Sequence, residues 1–255
     1  MITNKTKATL VLFALVVLMC GVLMVWLVTS TPTETELQVM AYAKEQGIPY
    51  SAYPASLIEL LARNPETEEF VLNYPSRQET AVDLSGYDRT QGVPLFMQWD
   101  PQWGYLKYGG DFVAVTGCGP VCLAMAGYYV TGDTAFSPDK MVTYAQENGY
   151  YSSGNGSKWT LISEGGPALG LDVTELPLVE KKIANYLQAG DPIIAAMGPG
   201  DFTSSGHYIV LTGYENGQLS VNDPNSYVNS EKTWPYETFA AQVRNLWVIK
   251  VPAGE

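Results

Sequence analysis

Three residues of this 255-residue chain have the types that together perform acyl transfer: Cys118, His207 and Asp223. Cys118 stands in Thr116-Gly117-Cys118-Gly119-Pro120, a pattern that predicts a loop turning into a helix over 120–130. Proline suits the first helical position and glycine tolerates a tight entry. A helix start offers free backbone N–H groups and the positive end of the dipole, both of which favour the thiolate that attacks carbonyl carbon. The same cysteine can also be read as a small buried apolar residue, and Cys122, one turn on, reads as core packing. A Cys118–Cys122 disulfide would have to overcome poorly directed Cβ vectors.

His207 is the only histidine, so any imidazole chemistry falls to it. It opens the run HYIVLTGY, whose alternation puts His207, Ile209 and Leu211 on one strand face. Asp223 ends the next strand, and the turn between the strands decides whether the two meet. A two-residue Asn216-Gly217 loop pairs Glu215 with Gln218 and turns Asp223 off the histidine face. A three-residue loop that takes in Glu215 pairs Tyr214 with Gln218, sets Asp223 opposite Ile209 and makes it a same-face diagonal neighbour of His207. Both loops are open from the sequence. Asp223-Pro224 also has the composition of a turn start. With nucleophile, base and orienting acid in view, Gln98 is the candidate oxyanion donor beside the backbone N–H of Cys118, or else an ordinary loop glutamine.

The elements that must position these residues form an α+β order. Periodicity predicts a strand over 93–97 and helices over 120–130, 137–148, 159–169 and 179–188, followed by strands over 192–197, 207–212, 218–222 and 246–251. Ahead of them lie an exposed stalk helix over 36–46, a helix over 54–64 capped by Ser56, and a short helix ending near Tyr74. The expected division is 1–30 as cytoplasmic tip and transmembrane anchor, 31–91 as linker and helical segment, and 92–255 as the working domain.

From Ala8 to Val28 the chain is uninterruptedly apolar, long enough to cross a bilayer. Lys5 and Lys7 precede that run and acidic residues dominate after it. The positive-inside rule then puts the N-terminus in the cytoplasm and the working domain outside a single-pass membrane protein. With 26 acidic against 14 basic residues the formal charge is −12, which excludes nucleic acid and anionic lipid as partners and leans toward cationic ones. One histidine and two cysteines beyond the anchor cannot make a closed zinc site without an acidic ligand, and no metal or cofactor is expected.

Gly117-Cys118-Gly119-Pro120, Gly206-His207-Tyr208 and Asn222-Asp223-Pro224, with Gln98 upstream, resemble the papain-fold cysteine peptidase-like family related to the bacteriocin-leader (double-glycine) processing peptidases. The resemblance implies a papain-like fold in which the nucleophile-bearing helix packs on an antiparallel sheet. It implies Cys118 as nucleophile, His207 as general base and later acid, Asp223 as orienter and Gln98 in the oxyanion hole. One anchor and an outward domain look more like the stand-alone surface members of Gram-positive bacteria, with a peptide or protein substrate outside the membrane. Two other functions fit the same residues. One is a catalytically silent surface module that binds a peptide or glycan through Trp99, Trp103, Tyr105 and Tyr108; the other is an acyl transferase using the same thioester.

Overall fold

A computed structural model describes residues 16–19, 31–154 and 156–252. No helix among the described residues is long and apolar enough to cross a membrane. The expected anchor over 8–28 lies, apart from 16–19, outside them. Two units follow one another along the chain, 1–52 and 53–255. In the first, helix α1 (Glu34–Glu45) starts at a capping box: Thr33 Oγ1 accepts from Glu36 N at 3.2 Å and Thr33 N donates to the Glu36 carboxylate at 2.7 Å.

The second unit opens with α2 (Ala55–Arg63) and α3 (Glu68–Leu72). Ser56 is not the cap of α2, as its position suggested. Pro54 holds that place, and Ser56 Oγ donates instead to Asp111 Oδ1 at 2.8 Å. The stretch 93–97 is likewise no strand: it belongs to no ladder, and Pro94 has no N–H to give to one. Two-residue ribbons follow, β1 (Lys107–Tyr108) with β2 (Asp111–Phe112) and β3 (Tyr151–Ser152) with β4 (Gly156–Ser157). Helix α4 spans Cys118–Thr131 and α5 Pro138–Glu147.

The remaining strands, β5 (Asp172–Glu175), β6 (Ile193–Met197), β7 (His207–Glu215), β8 (Gln218–Asn222), β9 (Thr233–Pro235) and β10 (Val243–Lys250), form one antiparallel sheet in the order β5-β10-β6-β7-β8-β9. Helix α6 (Glu180–Gln188) lies between β5 and β6 in the chain. All five residues of β6 are buried, the mark of a strand covered on both faces. On one side Ile194, Ala196, Tyr208 and Val210 join Val121, Cys122 and Met125 of α4 in a single core. On the other, Ile193, Ala195, Ile209 and Leu211 pack with Ile183 and Leu187 of α6. Helix α4 is buried from Gly119 to Gly127, so its sequence is apolar all round and carries no stripe. At roughly 1.5–3 kcal/mol for each large apolar side chain taken out of water, this helix is a main source of the unit's stability.

The β7–β8 hairpin resolves the question of register in a third way. Asn216 (φ 50°) and Gly217 (φ 78°) make a two-residue turn with Glu215 opposite Gln218. That register by itself would turn Asp223 away from His207. Between Leu211↔Val221 and Gly213↔Ser220, however, the register shifts: Thr212 is an extra residue on β7, a β-bulge. Below the bulge Val210 pairs with Asn222, so Asp223 continues the ladder opposite Ile209, on the face of His207. Deleting Thr212 should therefore separate the pair. The single imidazole gives one NMR titration curve, and in the deletion variant its midpoint should fall back toward the ordinary 6.5; an unmoved midpoint would show that the bulge does not set the contact.

Candidate active site

Cys118 is the first residue of α4, two positions earlier than expected, following a single turn over Val113–Thr116. Its backbone N–H stands outside the helix's own i→i−4 ladder, and its side chain is half-buried at the positive end of the dipole. The glycine after it is required by packing: a Cβ on Gly119 would come within 2.6 Å of Ser157 Oγ and 2.7 Å of Ser157 Cβ. Ser157 is itself fixed, sharing a 2.8 Å hydrogen bond with Tyr108 Oη. Cys122 is also free, fully buried, and pushed well above the ordinary thiol range by that burial. It is a core residue.

His207 starts β7 opposite Met197. Its Nε2 lies 2.7 Å from Asp223 Oδ1, with the two side chains 8% and 1% exposed. Burial opposes the charged imidazole, but the Asp223 carboxylate and, secondarily, Cys118 outweigh it, and His207 is pushed up to about 10. Burial likewise opposes the Asp223 charge, yet His207, Asn229 and the Asn225 N–H hold its pKa below the ordinary 3.8. An ionised carboxylate only accepts, so Nε2 carries the proton and donates, which leaves Nδ1 as the ring nitrogen that can serve Cys118, a residue close enough to raise the His207 pKa.

Asp223 is held on every side. Its Oδ1 also accepts from Asn225 N at 2.9 Å and its Oδ2 from Asn229 Nδ2 at 2.8 Å. Asn229 belongs to α7 (Tyr227–Ser230), whose Ser230 Oγ accepts from Asp223 N at 2.9 Å. The loop is clamped from outside by the segment between α2 and α3. Glu66 accepts from Ser226 Oγ at 2.6 Å and from Tyr227 N at 2.7 Å, and Asn64 Nδ2 donates to Asn225 O at 2.6 Å.

Of the four expected site residues, Cys118, His207 and Asp223 come together. Gln98 sits beside them but is already engaged: its N donates to Pro224 O at 2.7 Å and its Nε2 to Ala114 O at 2.6 Å, and it is 4% exposed. The aromatic loop proposed as a binding surface is largely spent inside. Trp103 and Tyr108 are fully buried, Trp103 Nε1 donates to Met97 O at 2.8 Å, and Tyr105 stacks on Phe70 at 4.1 Å between ring centroids. Sequence reasoning missed Asn229, Ser157 and the Glu66–Asn64 clamp. An asparagine a few residues after Asp-Pro was the one available signal.

A cleft of about 660 Å³ opens at Cys118 and His207, walled by the β3–β4 hairpin and by Gly198 and Pro199 after β6. A buried imidazole–carboxylate pair within reach of a half-exposed thiol at a helix start, facing such a cleft, has the parts for nucleophilic attack on an acyl carbon. Residues 90–251 match the Peptidase_C39 like family. The chain belongs to that family. C39-like membership supports cysteine peptidase activity, with peptides or proteins as substrates. Among solved structures, this C39-like chain is similar to the peptidase domain of Streptococcus ComA, a bi-functional ABC transporter involved in a quorum sensing pathway (23% identity over 53% of this chain and 91% of that one, TM-score 0.41). It is also similar to the peptidase domain of Streptococcus mutans ComA solved with a small-molecule inhibitor (18% identity, 60% and 95%, TM-score 0.38). No curated protein matches it.

Linkage fixes the pH dependence of the pair. Because His207 binds its proton more tightly folded than unfolded, its contribution to stability is complete below its ordinary 6.5 and is lost as pH rises through about 10. Asp223, depressed below 3.8, contributes above that value and loses its contribution as pH falls. The stability advantage of the native chain over His207→Gln, measured by urea unfolding, should therefore be largest between about pH 4 and 6.5 and shrink toward pH 10. An advantage that grows over that upper range would contradict the pairing.

The clamp makes a separate prediction. Glu66→Gln should keep the fold but loosen the Asp223 loop, lowering the His207 NMR midpoint, while Ser226→Ala at the other end of the same bond should act in the same direction. A midpoint unmoved in both would show that the loop holds itself.

Proposed function

We propose that this C39-like chain is a cysteine peptidase of papain-like arrangement that cleaves a peptide bond through Cys118, His207 and Asp223. The observation that carries the reading is the buried 2.7 Å His207–Asp223 contact beside a cleft that His207 and Cys118 both line. In the first half-reaction the Cys118 sulfur bonds to the scissile carbonyl carbon while its proton rests on His207. Collapse of the tetrahedral species breaks the C–N bond, His207 protonates the leaving amine, and a thioester remains. Water then attacks the thioester with His207 taking its proton, releasing the acid and restoring the thiol. Asp223 keeps Nε2 protonated throughout and orients the ring. The developing oxyanion is assigned to the Cys118 backbone N–H and to the second N–H of Gln98 Nε2, since the first is held by Ala114 O. The working domain is assigned to the outside of the membrane, on Lys5, Lys7 and the apolar run after them.

The test is alkylation of the full chain by iodoacetamide at neutral pH, mapped by mass spectrometry to Cys118 and Cys122. Cys118 should react and Cys122 should not, and His207→Ala should slow Cys118 by about tenfold or more. Once a substrate is in hand, Cys118→Ala should lower kcat/KM by about three orders of magnitude or more. Labelling of Cys118 that ignores His207, or none at all, would leave a silent binding module.

A further inference from the structure

We infer that the cleft beside Cys118 selects acidic peptides, gripping Asp or Glu side chains near the scissile bond through Arg63, Lys158 and Arg244. The inference deepens the peptidase reading above and rests on it. The three cations enter the cleft from three separate elements: the C-terminus of α2, the end of the β3–β4 hairpin and the start of β10. All three are exposed. The chain carries 26 acidic residues, yet none among the described residues lines this cleft.

Nor are the cations neutralised elsewhere. Among the described residues the ion pairs are His207–Asp223 and Lys250–Asp191. Arg63 Nε donates to the Glu59 carbonyl at 3.2 Å and Lys158 Nζ to the Gly149 carbonyl at 2.7 Å, which steadies each side chain without cancelling its charge. Arg244 lies along the cleft wall, so close to Gly198 that a Cβ there would stand 2.4 Å from Arg244 Nε. It also borders a neighbouring pocket that carries Glu175, with no ion pair between them.

The overall charge of −12 points the other way, toward cationic partners. At physiological salt the Debye length is about 8 Å, so charges spread over the surface are screened at the cleft while charges on its walls are not. For a ligand inside the cleft the local sign wins. Two or three carboxylates meeting a guanidinium or ammonium each would also fix the peptide's register over Cys118.

Cys118 reports the local field directly, because iodoacetate and iodoacetamide present the same electrophilic carbon with and without a negative charge. In the full, reduced chain the ratio of iodoacetate to iodoacetamide rates at Cys118 should exceed that of the urea-unfolded chain. It should fall by about two- to threefold for each of Arg63→Gln, Lys158→Gln and Arg244→Gln, as for unit charges acting through water over several ångströms. In about 1 M salt, where screening acts over about 3 Å, the differences among variants should vanish. Oligo-glutamate should slow iodoacetamide labelling of Cys118 and oligo-lysine should not. A triple variant that keeps the native ratio while iodoacetamide still labels Cys118 rapidly would overturn this inference and leave the peptidase reading standing. Oligo-lysine protecting as well as or better than oligo-glutamate, or protection by neither, would do the same. Failure of both alkylating agents to label Cys118 would instead overturn the peptidase reading, and this inference with it.

Discussion

The contact between His207 Nε2 and Asp223 Oδ1, 2.7 Å long and almost wholly out of water, is the constraint around which the rest of the unit is arranged. Burying a carboxylate and an imidazolium costs several kcal/mol per ion, and the expense is recovered only if every remaining lone pair finds a donor. Asp223 meets that demand with the Asn225 N–H and the Asn229 amide, and the loop bearing both is gripped by Glu66 and Asn64. Asn64 and Glu66, which precede the stretch that matches the family, thus take part in holding the Asp223 loop.

The same contact explains the arrangement of the sheet. β7 must deliver His207 at its first residue and β8 must deliver Asp223 just past its last, on one face, from a hairpin whose tight Asn216-Gly217 turn gives the opposite parity. The bulge at Thr212 reconciles the two. The third member arrives from the other core layer: α4, buried along most of its length, is locked by Val121, Cys122 and Met125 against the sheet, so that its first residue meets the ring. Gly119 allows the hairpin wall to close over that first turn. Cys118 is therefore positioned by the α4 core and the His207–Asp223 pair by the hairpin, and the cleft opens at Cys118 and His207.

Much of this was legible beforehand. A lone histidine opening an alternating apolar run, a cysteine between glycines ahead of a proline, and an Asp-Pro after the next strand mark the candidate residues for acyl transfer because that chemistry is carried by side-chain type, and the three lie together in the fold. The helix-then-strand order followed from hydrophobic period. The misses have particular causes. Pro94 broke an apolar run that looked like a strand, Pro54 displaced Ser56 as the start of α2, and the aromatic rings of the Trp/Tyr loop were drawn into the core by burial that no local pattern encodes.

Residue type and spacing alone determined which groups could react, that helices would precede strands, and that only His207 could serve as an imidazole base. Tertiary structure decided whether they meet. The turn parity allowed two answers, and the actual one depends on an extra residue in mid-strand. The donors that keep Asp223 charged come from loops and from a segment far upstream, and the cations of the cleft come from positions 63, 158 and 244. Contacts between residues so distant along the chain leave no periodic or local trace, since they are selected by the packing of whole elements and not by the propensities of neighbours.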